Sequence, residues 1–400
     1  MAAISDRFTR ISESQTVALT GLMAKLIAAG NDVVGLGAGE PDFDTPAPIK
    51  KAAIEAIEQG FTKYTPAQGV VDLRQAVCDY YRQEYGADYK ADQVLITSGA
   101  KYAVYMAICA VCNPGDEVIL PTPYWVSYPE QIKLAGATLK ILTTDAATGL
   151  KISADQLRKA ITPKTKLLIL NSPSNPSGAV YEREELDAIA QVIKESNIYI
   201  IADEIYDQII FDNKKFASMS VYRDISDKIL MVNGVSKSFA MTGWRIGYLI
   251  ADQEIITAAK RFQGHTLSNA TSVSQKAAVA AYNGDRSFIG EMVTVFSERR
   301  DYVVSRLNSM PGVKCTLPQG AFYAFADFSA CFGKKINDKT ISSSFDLCNY
   351  LLESHGVAIV PGSAFGMDGF ARLSYATSMQ NLQKALDRIE KGLQVLNNGE

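Results

Sequence analysis

Short apolar segments alternate with longer helical patterns through the middle of the chain. Most of these segments are rich in Ile, Leu and Val and lack polar residues at alternate positions, which is typical of strands covered on both faces. The predicted strands span residues 94–97, 117–120, 138–142, 167–170, 198–202, 229–232 and 246–250. Helix-length segments lie between several of them, at 101–112, 124–134 and 184–195. This alternation predicts an α/β fold with a mostly parallel central sheet flanked by helices.

The two ends of the chain carry a different pattern. The predicted helices there span 16–29 (followed by Gly30), 290–308 and 379–396, and the predicted strands span 320–325 and 356–360. Helices and strands in these segments do not alternate as they do in the middle. We therefore expect a large α/β domain at 48–290 and a smaller α+β domain formed by both chain ends, 1–47 and 291–400.

The composition narrows the class of protein. The 400 residues include 40 Lys and Arg against 43 Asp and Glu, and a net charge of −3 argues against binding to a nucleic-acid backbone. There are only two histidines, and the six cysteines are scattered, so we predict no metal site. The chain has neither an uncharged apolar run of about 18 residues nor a signal-peptide pattern. We expect a cytoplasmic protein that binds neither nucleic acid nor a membrane.

Five groups of residues stand out at the ends of predicted strands, where open α/β sheets bind ligands. In Ser98-Gly-Ala-Lys101, small residues at a helix N-terminus can offer backbone N–H groups to a phosphate. In the second group, Pro173 and Pro176 flank Asn175, whose amide can donate to a ligand oxygen. An ordinary strand–helix turn and a polar helix cap are the alternative readings.

The third and fourth groups carry charge. Asp203 comes directly after a predicted buried strand, and such a carboxylate is costly unless a cation or a protonated ring nitrogen pairs with it. A helix N-cap is the alternative. Ser236, Lys237 and Arg245 share a loop with aromatic residues, which fits a solvated basic loop poorly. A buried lysine can form a Schiff base, and an arginine suits a phosphate.

The fifth group contains Arg372, a lone arginine in an apolar strand. Such a residue requires a carboxylate partner, which could be a ligand or an internal salt bridge. Together the five groups offer a phosphate clamp, an acid for a pyridinium nitrogen, a donor for a phenolic oxygen and a lysine for an imine. Pyridoxal 5′-phosphate (PLP) is the simplest single cofactor that needs all four.

At these residues the chain resembles the fold-type I, class I aminotransferases. Within them it is most similar to the bacterial aspartate aminotransferase branch, whose relatives include prephenate aminotransferases. The matching stretches are residues 39–46, 63–66 with Gly69, 121–129, 171–178, 202–206, 236–245 and 372–375. The resemblance covers nearly the whole chain.

The resemblance implies a catalytic role for Lys237, Asp203 and Tyr206. Lys237 would bind the cofactor covalently, and Asp203 would keep the pyridine nitrogen protonated. The implied cofactor contacts are Tyr206 and Asn175 at the phenolic oxygen, Trp125 on the ring face, and Gly99, Ala100, Lys101, Ser236 and Arg245 at the phosphate. Tyr64 would reach the phosphate of a second subunit, which places the active site at a homodimer interface.

The resemblance also implies how an amino acid binds. Gly39 and Arg372 would hold the α-carboxylate, beside Trp125 and Asn175.

A second carboxylate on the substrate would meet Lys101, Ser14 and Thr16. Just upstream, Ser12 and Glu13 stand where that branch commonly has a basic residue and a proline. Because Glu13 adds negative charge near a pocket for anions, we expect aspartate activity ahead of prephenate activity.

We therefore predict an aminotransferase that moves the amino group of L-aspartate or glutamate to a 2-oxo acid such as 2-oxoglutarate. The mechanism would be ping-pong, and prephenate and arogenate are further candidate substrates. A PLP-dependent lyase and an aromatic or broad-range aminotransferase on the same fold remain alternatives. A non-enzymatic PLP-binding regulator is disfavoured, because the catalytic set is complete and the net charge is negative.

Overall fold

The computed structural model of the chain describes residues 4–12, 15–336 and 339–398. The helices are α1 (Asp6–Thr9), α2 (Gln15–Ala28), α3 (Ala47–Glu58), α4 (Val71–Tyr85), α5 (Ala100–Val111), α6 (Ser127–Leu134), α7 (Ala154–Ala160), α8 (Arg183–Glu195), α9 (Gln253–Thr266), α10 (Ser272–Asn283), α11 (Ser287–Ser309), α12 (Ser344–His355) and α13 (Met379–Asn398). The strands are β1 (Val34–Gly35), β2 (Val94–Thr97), β3 (Glu117–Pro121), β4 (Thr138–Leu142), β5 (Thr165–Asn171), β6 (Tyr199–Asp203), β7 (Ile229–Gly234), β8 (Gly247–Ile250), β9 (Lys314–Cys315), β10 (Tyr323–Asp327), β11 (Lys335–Ile336), β12 (Lys339–Thr340), β13 (Val357–Ala358), β14 (Val360–Pro361) and β15 (Phe370–Ser374). Among these elements, no helix is long and apolar enough to cross a membrane.

The large sheet has seven strands in the order β2-β8-β7-β6-β5-β3-β4. Only β8 runs antiparallel to its neighbours, so the prediction of a mostly parallel sheet is confirmed. Successive side chains pack in two separate cores on the two faces of the sheet. Leu168 and Ile200 lie in one core, whereas Ile169 and Ile201 lie in the other. Because both faces are covered, the buried middle positions of these strands are apolar without alternation, which explains their sequence pattern.

The predicted elements of this part lie within a few residues of the observed ones, with two informative differences. The predicted helix at 124–134 begins only at Ser127, because the Tyr124 N–H donates to the Phe365 carbonyl at 3.1 Å and the chain bends at residues 122 and 123. The predicted strand at 320–325 begins only at Tyr323, because Ala321 has a φ of 58° and cannot continue a strand.

A second sheet, in the order β14-β15-β10-β9, is built from the C-terminal part of the chain. The N-terminal segment packs beside it: β1 and β13 form a separate two-stranded parallel sheet, with Val34 opposite Val357, and the Leu36 carbonyl accepts a hydrogen bond from the Ser374 N–H of β15 at 2.7 Å. A separate core lies between this sheet and helices α11, α12 and α13. This arrangement supports our proposal of a small domain formed by both chain ends.

The proposed domain boundary at residues 290 and 291 falls inside α11. Ile289 packs in a core of the large sheet, whereas Met292, one turn further on, packs in the core of the small one. The helix therefore passes from one core to the other without a break, and we keep the two-domain division as a proposal.

Tyr124 and Gly366 make a close contact between the two parts of the chain. Gly366 has a φ of 75°, and a Cβ atom at this position would lie 2.5 Å from Cε1 of Tyr124. Gly366 is therefore needed both for its left-handed backbone and for the space that it leaves to the aromatic ring.

We expect Gly366→Ala to destabilise the protein more than Gly86→Ala. Gly86 has a similar φ of 66°, but nothing lies within 4 Å of a Cβ there. The left-handed conformation costs an alanine about 1–2 kcal/mol at either position, and overpacking against Tyr124 adds about 1–3 kcal/mol at Gly366 alone. Thermal midpoints at one fixed scan rate measure the difference. Equal losses in the two variants would mean that the ring contact contributes nothing.

Candidate active site

A cavity of about 280 Å³ lies where β5 and β6 end, at the carboxyl edge of the large sheet. Most of the predicted site residues line it: Gly39, Ala100, Lys101, Trp125, Asn175, Asp203, Tyr206, Ser236, Lys237, Arg245 and Arg372. Gly39 and Arg372 come from the two chain ends and the others from the large sheet and its loops. The cavity therefore joins segments that are more than 300 residues apart in sequence.

Of the four other predicted site residues, Gly99 and Tyr64 do not line this cavity, and the side chains of Ser14 and Thr16 are not described. Gly99 lies directly beside it, at the start of α5. Tyr64 is on the surface and is 90% exposed in the single chain. Ser14 lies outside the described residues, and Thr16 lies in α2, where only its backbone is described.

Asp203 is a buried carboxylate at the last position of β6. The Tyr128 hydroxyl donates to its Oδ2 at 2.7 Å, and the Ile205 N–H donates to its Oδ1 at 3.3 Å. Burial raises the pKa of Asp203 to about 6, although these hydrogen bonds and the nearby Lys237 favour the charged form. No ion pair joins Asp203 to another described residue. The site therefore holds a negative charge that a cationic ligand would stabilise.

Lys237 follows β7 in a loop, and its Nζ donates to the Gly39 carbonyl at 2.5 Å. Removal from water lowers the pKa of Lys237 to about 8. Glu40 and Asp203 act to raise this pKa, whereas Arg245 and Arg372 lower it further. With such a pKa, about a tenth of the amine is neutral at pH 7, so Lys237 can act as a nucleophile or a base.

The first turn of α5 and Arg245 form an anion site. Gly99 begins this helix with a φ of 81°, and no side chain caps its N-terminus. The Arg245 guanidinium lies so close that a Cβ at Gly99 would be 2.5 Å from its Nη2. Its Nη1 donates to the Thr242 carbonyl at 2.8 Å, and the buried Ser236 also lines the cavity. Helix N–H groups, a guanidinium and a hydroxyl form a donor set that suits a phosphate.

Arg372 is 2% exposed in the middle of β15. It donates from Nη1 to Asn175 Oδ1 at 2.8 Å and from Nη2 to the Gly37 carbonyl at 2.7 Å. Its Nε is buried without a hydrogen-bond partner in the described part of the chain. An internal salt bridge, the alternative reading of this residue, does not form among the described residues. Arg372 thus has an unsatisfied positive charge at the cavity wall.

Lys101 and Trp125 lie on one side of the cavity. The Lys101 Nζ is 5.0 Å from the centre of the indole ring, which is within cation–π distance. Partial removal from water, together with Arg245, lowers the pKa of Lys101. The residue remains exposed in the single chain, so its ammonium can reach a ligand at the cavity entrance.

Sequence reasoning missed two tyrosines of this site. Tyr128 supports Asp203, and the Tyr323 hydroxyl is 2.9 Å from that of Tyr206. Tyr323 also lies under Arg372, with its ring centre 4.5 Å from the guanidinium carbon. The closeness of Tyr128 to Trp125 in sequence was a signal for one of them, because their rings pack edge to face with centres 5.2 Å apart.

The site combines a lysine, a buried aspartate and a helix N-terminus suited to a phosphate, all at the edge of a mostly parallel sheet. This combination is typical of the fold-type I class of PLP-dependent enzymes. The family model for aminotransferases of class I and II matches residues 31–389. The chain belongs to this aminotransferase family.

Named relatives and solved structures are similar to the chain over almost its full length. A probable aspartate/prephenate aminotransferase of Rhizobium leguminosarum bv. phaseoli is 45% identical over 394 residues, 98% of both chains. An aspartate/prephenate aminotransferase of Nitrosomonas europaea is 45% identical over 96% of this chain and 98% of its own. The crystal structure of an aspartate aminotransferase from Rhizobium meliloti gives a TM-score of 0.95 at 40% identity, covering 98% of this chain and 99% of that one. Thermus thermophilus aspartate aminotransferase with maleate gives 0.92 at 38% identity, covering 98% and 100%.

Glu204 is a second buried acid, next to Asp203 but outside the cavity lining. The Ser218 hydroxyl donates to its Oε2 at 2.6 Å, and the Met219 N–H donates to its Oε1 at 2.7 Å. Burial is the main reason that the pKa of Glu204 rises to about 8, and the nearby Asp207 and Asp203 raise it further. The folded protein therefore favours the protonated form of Glu204 at neutral pH.

This raised pKa predicts a stability that falls as the pH rises. The contribution of Glu204 is fully present below its ordinary pKa of 4.5 and is lost as the pH passes through about 8, up to about 5 kcal/mol in total. Glu204→Gln imitates the protonated form, so we expect it to remove that slope and to be more stable than wild type at pH 8.5. Urea midpoints between pH 5 and 9 test this, with the exposed Glu184→Gln as control. Parallel pH profiles for wild type and Glu204→Gln would contradict it.

Proposed function

We propose that the chain is a PLP-dependent aminotransferase that moves the amino group of L-aspartate or glutamate to a 2-oxo acid such as 2-oxoglutarate. The observation that carries this proposal is the cavity itself, which brings Lys237, Asp203 and Arg372 together with no ion pair among them. An amino acid bound beside the cofactor supplies the partners that these groups lack.

The residues present fit PLP. The first turn of α5, Ser236 and Arg245 would hold its phosphate, and Asp203 would pair with its protonated ring nitrogen. The remaining cofactor contacts would be Trp125 on the ring face, Tyr206 and Asn175 at the phenolic oxygen, and Lys237 in a covalent link. When bound, the cofactor supplies a carbonyl carbon that forms an imine with an amine and a ring that accepts electrons.

Lys237 is proposed to move the proton of the reaction. Its low pKa leaves part of the amine neutral, so Nζ could take a proton from the substrate's α-carbon and deliver it to the carbon that the cofactor contributes to the imine. Asp203 keeps its negative charge close to the ring nitrogen, which stabilises the proton there. Tyr128, which also lines the cavity, holds the Asp203 carboxylate in place through its hydroxyl.

Arg372 is proposed to bind the substrate's α-carboxylate. Its guanidinium is held from two sides by Asn175 and the Gly37 carbonyl, which fixes its orientation before the ligand arrives. The unpartnered Nε and the buried surroundings make a carboxylate ligand favourable there, because a charged hydrogen bond would replace an unsatisfied one. Gly39 lies beside it at the cavity wall.

Lys101 is proposed to bind the second carboxylate of aspartate or glutamate, with help from Ser14 and Thr16. Its position beside Trp125 in the cavity lining and the names of two relatives, both aspartate/prephenate aminotransferases, support this choice. Prephenate also carries more than one carboxylate and is a second candidate substrate, supported by the same two names.

We also propose that the protein is a homodimer in the cytoplasm. Tyr64 is a large aromatic residue that is 90% exposed in the single chain, and a second subunit would use its hydroxyl at the phosphate. This pairing would make each active site depend on both subunits.

We expect the protein to pass through two separable half-reactions. With aspartate alone and no oxo acid, the visible absorbance of the bound cofactor should change once and stop, releasing one equivalent of oxaloacetate per site. Addition of 2-oxoglutarate should restore the first spectrum. Lys237→Ala should show neither the starting absorbance nor turnover. A lyase would instead release ammonia or pyruvate continuously without any oxo acid, and that outcome would contradict the proposal.

Charge loss at Lys101 should affect dicarboxylic substrates selectively. Loss of a partly buried charge partner costs about 2–5 kcal/mol, and the exposure of Lys101 places the effect at the lower end. We expect Lys101→Met to lower kcat/KM for aspartate by roughly tenfold to a thousandfold and to leave alanine nearly unchanged. Lys101→Arg keeps the charge and is the matched control. Equal losses for aspartate and alanine would exclude Lys101 from distal carboxylate binding.

A further inference from the structure

Asp207 is a buried carboxylate that lies behind the cavity and does not line it. Its Oδ2 accepts hydrogen bonds from the Tyr80 hydroxyl at 2.5 Å, the Tyr85 hydroxyl at 2.8 Å and Asn233 Nδ2 at 2.9 Å. Its Oδ1 accepts from the Ser238 hydroxyl at 3.4 Å. In the part of the chain that the structure describes, no cation forms an ion pair with it.

The donors reach Asp207 from segments that carry the proposed chemistry. Asp207 itself follows Tyr206 directly, and Ser238 follows Lys237 directly. Asn233 lies in β7, the strand that leads into the Lys237 loop, and its Oδ1 accepts from the Gly234 N–H at 2.7 Å. One carboxylate thus connects the segment of Tyr206 with the segment of Lys237 through hydrogen bonds.

Helix α4 fixes this carboxylate from the opposite side. Gln208 Nε2 donates to the Tyr80 hydroxyl at 2.8 Å, so the hydroxyl proton of Tyr80 is free to point at Asp207. Tyr80 and Tyr85 are both tyrosines of the well-packed α4, with rings in an edge contact at 6.0 Å. The hydrogen-bonded unit is therefore anchored in the core of the large sheet.

Stability alone does not explain a charge at this place. A buried carboxylate without a cation is costly, and burial raises the pKa of Asp207 despite its hydrogen bonds. Apolar residues of similar size in place of buried charged groups are often neutral or stabilising. The short hydrogen bonds instead give Asp207 a fixed geometry, which is useful where two reacting groups must keep a set separation.

We propose that Asp207 is a positioning residue that holds the Lys237 segment and the Tyr206 segment at a fixed distance from each other. The proposal rests on the proposed function of Lys237 as the residue that binds PLP and moves the proton. Asp207 touches neither the cofactor nor the substrate, and it acts through Ser238 and Asn233 on one side and through the backbone of Tyr206 on the other.

The test compares Asp207→Ala and Asp207→Asn in the cofactor-loaded protein. Misplacement by about 1 Å costs on the order of a hundredfold in rate, so we expect Asp207→Ala to lower kcat for aspartate about ten- to a hundredfold. KM should change less than about threefold, because Arg372 is held by other contacts. The pH midpoint at which the cofactor absorbance titrates should also shift. This spectroscopic readout is independent of turnover.

Asp207→Asn should restore most of the rate. Its Oδ1 can accept from both tyrosines and from Asn233, and its Nδ2 can donate to Ser238. The matched control is Glu204→Gln, a buried acid three residues away whose partners, Ser218 and Met219, lie outside these segments. We expect it to change stability but neither kcat nor the absorbance titration.

A purely structural role would overturn the proposal. Its signature is an Asp207→Ala protein with a lower thermal midpoint but with the wild-type kcat and absorbance titration. Should Asp207→Ala fail to fold, Tyr80→Phe decides, because it keeps the ring and removes only the hydroxyl, with its hydrogen bonds to Asp207 and from Gln208; an unchanged kcat and titration there would also overturn it. If wild type shows no covalent bond between Lys237 and the cofactor, the proposed function itself fails, which borohydride reduction and peptide mapping detect separately.

Discussion

Burial of unpaired charge in one cavity is the constraint on which this structure depends. Asp203, Lys237 and Arg372 all lie in the same small space, yet none forms an ion pair with another described residue. Each is kept charged or nearly so by neutral donors and acceptors, such as the Tyr128 hydroxyl at Asp203 and the Gly37 carbonyl at Arg372. Such a site has a high free energy when empty and becomes favourable when a ligand brings charges of the opposite sign.

The fold supplies this arrangement because parallel strands end at the same edge. Asn171 and Asp203 lie opposite each other in the pairing of β5 with β6, so their side chains are placed by the register of the sheet. The chain ends then close the cavity with Gly39 and Arg372, and Tyr124 packs against Gly366 where the two parts meet. Placement of the proposed α-carboxylate residue, Arg372, on one part and of the proposed cofactor residues on the other would make substrate binding sensitive to how these parts pack.

The sequence was sufficient for most of the fold and much of the cavity, for a local reason. The buried middle positions of the parallel strands are apolar without alternation, and residues such as Asp203 and Lys237 stand at or shortly after the strand ends, where they can be recognised along the sequence. Tyr323, Gln208 and the α4 tyrosines were missed because their role depends on partners more than a hundred residues away. Buried tyrosines are common in protein cores, so only the folded structure distinguishes a tyrosine that merely packs from one that hydrogen-bonds to a site residue.

The residues proposed for the reaction and the residue proposed for substrate specificity are separated in space within this site. Lys237, Asp203 and Arg372 lie in buried surroundings, and their pKa values respond mainly to removal from water. Lys101 instead remains exposed at the entrance and contacts Trp125 through a cation–π interaction. Changes at such an exposed position alter few packing contacts, whereas a change at Asp203 would disturb a connected set of buried hydrogen bonds. A change at Lys101 could therefore alter which side-chain group of the substrate is bound, while the buried residues would keep the same reaction.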